Sequence, residues 1–176
     1  MGGMVRQNWR FAMRRAVLIA AFCLIASSAQ AAWQFSDVSD EDGKAYKGWA
    51  VDVSGELEAQ IFCDDWFPDA MDITIYTAEK YDAKASYPES GVMKVRIDDR
   101  KSVEVTAFYD EHEGELLVYT SSLEAEGVDE VLLAMARANS SIGFSFEGRD
   151  WHFSADNVFP VLEKMAAECP TESNTP

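Results

Sequence analysis

Histidine, cysteine and positive charge are all scarce in this chain. Its 176 residues include 2 histidines, 3 cysteines and 5 prolines. Two histidines leave little for imidazole acid–base catalysis or for a histidine metal cage. The sequence holds no Gly-x-Ser-x-Gly elbow, no phosphate-cradling glycine loop, no His-Glu-x-x-His and no Cys-x-x-Cys. The usual hydrolase, nucleotide-binding, zinc-protease and thiol-redox signatures are therefore missing. No catalytic, cofactor or metal residue is assigned from the sequence. Lys and Arg number 15 against 31 Asp and Glu, for a formal charge of −16. So few cations argue against phosphate contacts with nucleic acid and against docking on anionic lipid. No apolar run approaches the roughly 20 residues that cross a bilayer, so no stable membrane insertion is expected.

What is present begins with a leader pattern. Arg6, Arg10, Arg14 and Arg15 precede an apolar run from Ala16 to Ile25, and Ala29-Gln30-Ala31 offers a small-x-small cleavage site. Basic, apolar and cleavable segments in that order mark a secretory signal peptide. Residues 1–31 are expected to be removed, leaving one globular domain over 32–169 and a disordered tail over 170–176. The expected location is the periplasm or the medium. The leader takes 4 of the 15 basic residues and none of the 31 acidic ones, so the mature chain keeps 11 cations and a net charge of −20. Such a surface serves solubility first, and a basic partner second.

Alternation dominates the rest. Leu57, Ala59, Ile61 and Cys63 point one way while Glu58, Gln60 and Phe62 point the other. The same period of two runs through Met71–Tyr76, Met93–Asp98, Val103–Phe108, Leu116–Thr120 and Ile142–Phe146, each read as a half-buried strand. Trp33-Gln34-Phe35 reads as a short edge strand, Ser36–Lys47 as an acidic loop, Trp49–Val53 as a strand, and Trp151–Phe153 as the return from a turn at 147–150. Turn residues separate the strands at Asp98-Asp99 and His112-Glu113-Gly114. Two segments change period. Val128, Leu132, Met135, Ala136 and Asn139 share a helical face, with Asp129 and Glu130 in the first turn. Val158, Val161, Leu162, Met165, Ala166 and Cys169 share another; Asn157 is its expected cap, Pro160 fits its first turn and Pro170 stops it. The fold class is mainly β with two helices: an antiparallel sandwich or curved sheet with the helices packed on it.

Cys23 falls inside the leader, with Phe22 where a lipobox needs a small residue. Cys63 and Cys169 remain. Each continues the apolar face of its element, and an oxidising compartment favours one disulfide between them.

Candidate chemistry is thin. Asp110-Glu111-His112-Glu113 reads as a solvated hairpin tip rather than a cation site. His152 alternates with Trp151 and Phe153 and so faces outward. Asp37, Asp40, Asp42 and Gly43 hint at a calcium loop, but Trp49 stands where the closing Glu belongs. Two loops carry aromatics suited to a partner: Trp66 and Phe67 within Asp64–Asp69, and Tyr81 and Tyr87 on a long connection. The competing expectation for Trp66 and Phe67 is that they fold back over the sheet edge beside Cys63.

The order of a strand ending in Cys63, the strand Met93–Asp98, a helix at Val128, Phe144-Ser145-Phe146-Glu147-Gly148 and a helix ending at Cys169 resembles small bacterial periplasmic proteins of the invasion-associated locus B and type VI secretion accessory kind. The resemblance spans about 57–169, without the extra cysteines of the locus B family, and assigns no functional residue. It implies a non-enzymatic envelope protein, a binding or accessory module for another envelope or secretion-system protein. An inhibitor or immunity protein against a basic cell-wall hydrolase is a narrower form of that reading. The rival is a small hydrolase whose carboxylate pair is assembled by the fold. N-terminal sequencing of the protein from the envelope fraction is expected to read Ala32-Trp33-Gln34; recovery from the cytoplasm with Met1 intact would remove the export reading.

Overall fold

The computed structural model describes residues 32–171. The expected leader, 1–31, and the end of the expected tail, 172–176, lie outside the described residues. In chain order the elements are β1 (Gln34–Asp37), β2 (Ala45–Val51), β3 (Glu58–Asp64), β4 (Asp72–Lys80), β5 (Gly91–Ile97), β6 (Val103–His112), β7 (Glu115–Ser121), α1 (Val128–Met135), β8 (Ser141–Phe146), β9 (Arg149–Ser154) and α2 (Val158–Glu168). The strands form one antiparallel sheet in the order β1-β2-β3-β4-β7-β6-β5-β8-β9, curled into a half-barrel.

Period-two patterning places the apolar residues on the concave side. In cross-strand register run Tyr46 with Cys63, Ile61 with Ile73, Ile75 with Val118, Met93 with Val105, Val95 with Phe144, and Phe144 with Trp151. All are buried. Burying such side chains is worth roughly 1.5–3 kcal/mol each before the entropy of ordering them is subtracted.

Curvature is concentrated at β6. Its first half, to Ala107, pairs with β5; its second half, from Phe108, pairs with β7. A bend there costs ladder hydrogen bonds, and the buried Thr120 hydroxyl replaces one by donating to the Thr106 carbonyl at 2.7 Å. Register also slips between Tyr76 and Lys80 of β4. There the Thr77 hydroxyl donates to the Leu116 carbonyl at 2.7 Å, and the Ala78 N–H donates to Glu115 Oε1 at 2.8 Å. The β6–β7 hairpin turns through Glu113 and Gly114, with φ of 53° and 85°. Two successive left-handed residues suit the twist of a tight hairpin.

The sheet's two ends meet at Trp33, just before β1. Its backbone N–H donates to the Asp156 carbonyl at 2.9 Å, and its indole N–H to the Ser154 carbonyl at 2.9 Å. Asn157 returns a hydrogen bond from Nδ2 to the Trp33 carbonyl at 2.7 Å. Trp33 is 0 % exposed. Asn157 thus holds the expected cap position of α2, with its side chain spent on Trp33. Its φ of 65° turns the amide away from the helix, and no side-chain cap bond forms.

Both helices cover the concave face, α2 over β1 and β2 and α1 over β5 and β6. α1 is shorter than expected, and buries Val131 along with Val128 and Met135. β2 begins at Ala45, so the acidic loop ends earlier than expected. Tyr46, Gly48 and Ala50 alternate toward the core, but a glycine carries no apolar signal to extend the pattern. Cys63 and Cys169 form the expected disulfide, Cα–Cα 5.9 Å, pinning the end of β3 to the end of α2. It spans 106 residues. Closing a loop of that order contributes roughly 4–5 kcal/mol in the chain-entropy account. Pro170, set at the head of the expected tail, is buried, and its carbonyl accepts from the Asp69 N–H at 3.0 Å.

Gly48 sets how closely α2 approaches. A Cβ at that position would stand 2.8 Å from Val161 Cγ1 and 3.6 Å from Met165 Cγ. Gly48→Val is expected to destabilise the domain by about 1–3 kcal/mol through overpacking. Chemical denaturation checks it, and an unchanged midpoint would show that the helix has slack to move.

Candidate functional site

One end of the half-barrel gathers three connections: the β1–β2 turn, the β3–β4 loop and the start of the β7–α1 link. Asp65 N–H donates to the Lys44 carbonyl at 3.0 Å, and the Asp65 carboxylate lies against Gly43. Met71 N–H donates to Ser122 Oγ at 2.9 Å, and Ser122 N–H to the Met71 carbonyl at 3.0 Å. These bonds hold Asp40, Glu41 and Asp42 of one connection and Asp64, Asp65 and Asp69 of the next on the same end, with Glu124 from the third. Lys44 stands among them.

The β3–β4 loop is built to hold its aromatics outward. Asp64 Oδ1 accepts the N–H groups of both Trp66 and Phe67, at 3.1 Å each, closing a tight turn at the end of β3. The disulfide fixes Cys63 directly before it, and the Asp69 bond to Pro170 fixes its far side. Trp66 is 72 % exposed and Phe67 57 %. The expectation that they fold back over the sheet edge is therefore overturned. Trp66 stands clear of the sheet, and Phe67 leans only in part over Phe62 and Cys63. Leu123, 59 % exposed, lines a small recess together with Phe67. Sequence reasoning did not single out Leu123, because one apolar residue on a polar turn carries no periodic signal.

Tyr81 and Tyr87 lie elsewhere, beyond the other end of β4. Their rings stack at 5.5 Å, Tyr87 packs on Tyr109 at 5.0 Å, and Tyr109 on Phe146 at 5.0 Å. Arg149 closes the ladder with Nε to Glu79 Oε1 at 2.9 Å, Nη2 to Glu79 Oε2 at 3.0 Å and Nη1 to the Tyr109 hydroxyl at 2.9 Å. Those tyrosines spend their faces on each other and on the core. The structure does not bring them together with Trp66 and Phe67.

His112 sits at the end of β6, edge-on to Tyr76 with ring centroids 6.4 Å apart. It lines an open cleft of about 480 Å³ with Glu58, Glu113 and Glu115. Glu58 is engaged by Lys47 at 3.0 Å. Burial, then the charges of Glu58 and Glu115, pushes the Tyr76 hydroxyl above its ordinary value. His152 is exposed on the convex face, opposite Gly143. Among the described residues, no three His, Cys, Asp or Glu side chains converge as a metal set. No described helix is long and apolar enough to cross a membrane.

Two aspartates at strand ends show opposite chemistry. Asp98, after β5, accepts N–H bonds from Ser140 at 2.8 Å and Ser141 at 3.1 Å, and the Ser140 hydroxyl at 2.8 Å. Those backbone donors hold its carboxyl well below the usual carboxylate range. Asp72, at the start of β4, is half-buried, and its Oδ1 is covered from solvent without a hydrogen-bond partner. Burial pushes its carboxyl up, only partly offset by the Ser121 hydroxyl, and the charges of Asp64 and Glu124 push the same way. Burial, followed by the influence of Glu124, pushes the Tyr119 hydroxyl up to about 12. Asp72 carries no local signal of this. It occupies an outward strand position, and only the loop folded above it removes its water.

Asp72 makes stability depend on pH. Its folded-state affinity for a proton exceeds the unfolded one, so the ionised carboxylate weakens the fold above that window and the penalty fades as pH falls through it. Asp72→Asn is expected to raise the melting temperature by a few degrees at neutral pH and to lose most of that advantage near about pH 3. Paired thermal melts of the two proteins check this. An equal advantage at both pH values would mean that charge is not its source. Comparison with known proteins adds no relative: no family model, no curated protein and no solved structure matches the chain.

Proposed function

We propose that the chain is a non-catalytic, exported binding module that acts on another envelope protein of basic character, through the end of the half-barrel that carries Trp66, Phe67 and Leu123. One observation carries this reading. Two large aromatic side chains are held largely in solvent by a hydrogen-bonded loop beside a disulfide, with exposed Leu123 of the β7–α1 link next to Phe67 and carboxylates around them. Keeping Trp66 and Phe67 in water forgoes burial free energy that the same chain recovers elsewhere. Aromatics presented on a rigid support, with charge around the rim, are the usual anchors of a protein interface. A mature net charge of −20 favours a cationic partner and speeds its encounter. The resemblance to small periplasmic accessory proteins supports the same class. Inhibition of, or immunity to, a basic cell-wall hydrolase is the narrower form.

The cleft around Glu58, Glu115, Tyr76 and His112 is the observation behind the rival hydrolase reading. The carboxylates there flank an open surface, and Glu58 is already paired with Lys47. The binding reading rests on a more specific arrangement.

Affinity capture of the mature chain from envelope extract, with the captured protein then purified and titrated, tests the proposal. The partner is expected to be basic and to bind more weakly as salt rises, since exposed charges are screened beyond about 8 Å at physiological ionic strength. Trp66→Ala and Phe67→Ala are each expected to weaken binding about tenfold or more, with the melting temperature within a few degrees of the parent. Full affinity in both variants would overturn the assignment of this end. Hydrolysis of a cell-wall substrate that is lost in Glu58→Gln or Glu115→Gln would replace it with the enzyme reading.

A further inference from the structure

We infer that the convex face of the sheet binds a short neutral oligosaccharide, laid along a row of aromatic, amide and hydroxyl side chains that leads into the cleft at Tyr76. The inference goes beyond the binding reading above and uses a surface separate from the Trp66 loop. Cross-strand register lines up Trp49, Gln60, Thr74, Tyr119 and Phe108 on five successive strands, β2-β3-β4-β7-β6. All five alternate away from the core, and all are half-buried. None is charged, although 26 % of the chain is. Phe108 and Tyr119 pack ring against ring at 5.4 Å. Leu117, on the same face and in register with Tyr76, is 7 % exposed without belonging to the main core. The convex side therefore carries an apolar layer of its own. Both described helices cover the other face, so neither accounts for it. An uncharged row across five strands is not what solubility asks of a chain with a formal charge of −16.

The groups on the row suit a sugar. The C–H face of a pyranose is slightly positive and stacks on the negative face of an aromatic ring. Adjacent strands stand about 4.8 Å apart, so Trp49 and Tyr119 are about 14 Å apart along the row, room for a few sugar rings. Between them, Gln60 and Thr74 supply an amide and a hydroxyl that both donate and accept. Gln60 Oε1 accepts the Tyr76 hydroxyl at 3.5 Å, and its amide N–H groups have no partner among the described residues. Tyr76 then leads into the open cleft of about 480 Å³, where Glu58 and Glu115 offer acceptors and Lys47 and His112 offer donors. Bonds from sugar hydroxyls to carboxylates are the strong, charge-assisted kind. Four glutamates, at 56, 58, 113 and 115, face one lysine in that cleft, so phosphate, sulfate and uronate groups are repelled. Hydroxyls, apolar ring faces and no negative charge are the features left for a ligand. None of the rings in the row stands out as Trp66 does. The row is thus a platform for flat rings rather than an anchor that fills a pocket on a protein.

The probes are cellotetraose and chitotetraose, both neutral, with tetragalacturonate as the anionic control. Amide shifts of the mature chain are followed by NMR as each is added. At least one neutral tetramer is expected to move the amides of residues 47–49, 58–60, 74–76 and 117–119. It should bind at least about tenfold more tightly than the galacturonate. Tyr119→Ala and Gln60→Leu are each expected to weaken it about fivefold or more. Gln60→Leu keeps the volume of a half-buried side chain, so its result stands even where Tyr119→Ala disturbs the sheet. Trp66→Ala is expected to leave sugar binding unchanged while weakening the captured protein partner, which separates the two surfaces. No shift of these amides at about 10 mM of either neutral tetramer would overturn the inference and leave the partner reading standing. Equal binding of the galacturonate, or shifts confined to residues 64–69, would overturn it as well. Cleavage of a bound tetramer, lost in Glu58→Gln, would keep the glycan site and overturn the non-catalytic reading instead.

Discussion

The structure depends on covering one face of a single curled sheet. Alternation along most of the strands turns one row of apolar side chains in each toward the concave side. Two short helices are the lid available, and they cover it only if the sheet bends enough to reach both. Splitting the partners of β6 between β5 and β7 supplies that bend. Bending breaks ladder hydrogen bonds, and the hydroxyls of Thr77 and Thr120 restore acceptor partners where they are buried. Those threonines are therefore joints of the curvature rather than polar intruders in the core.

Closure follows from the same requirement. Trp33 joins the approach to β1 with the exit from β9 through two donated bonds and one accepted bond. Gly48 lets α2 settle close on β2, and Cys63–Cys169 locks its far end to β3. Each device acts between segments distant in sequence. Without them the helices would stand off, and the largest apolar side chains would stay wet.

The candidate interface is a by-product of this locking. With the disulfide at the end of β3, the β3–β4 loop rests only part of Phe67 against Phe62 and Cys63. Asp64 closes its turn, and Trp66 and Phe67 remain outside. The same loop lies over Asp72 and strips its water. Exposed aromatics and a shielded carboxylate thus share one cause. The tyrosines at the opposite end of β4 had an alternative, a ladder leading to Phe146, and took it.

The strands, the two helices and the disulfide partners were legible in the sequence because period two, period 3.6 and cysteine placement on apolar faces are local signals. β2 starts earlier than its apolar pattern because Gly48 interrupts that pattern, and Val131 rather than Leu132 is the buried residue in the middle of α1. The partner loops were legible as aromatic and acidic, but not as exposed or buried. That distinction depends on which surfaces lie nearby, and nearness is set by pairings across the whole chain. Asn157 illustrates the limit: its capping propensity is local, while its bond to Trp33 spans 124 positions. Asp72 illustrates it again, since desolvation belongs to the neighbours and not to the residue. Composition and periodicity by themselves determined an acidic, mainly β domain with two helices and one bridge. Tertiary structure alone decided the half-barrel, the Trp33 closure and the recess at Asp72, because curvature and loss of water arise only when distant segments are brought into contact.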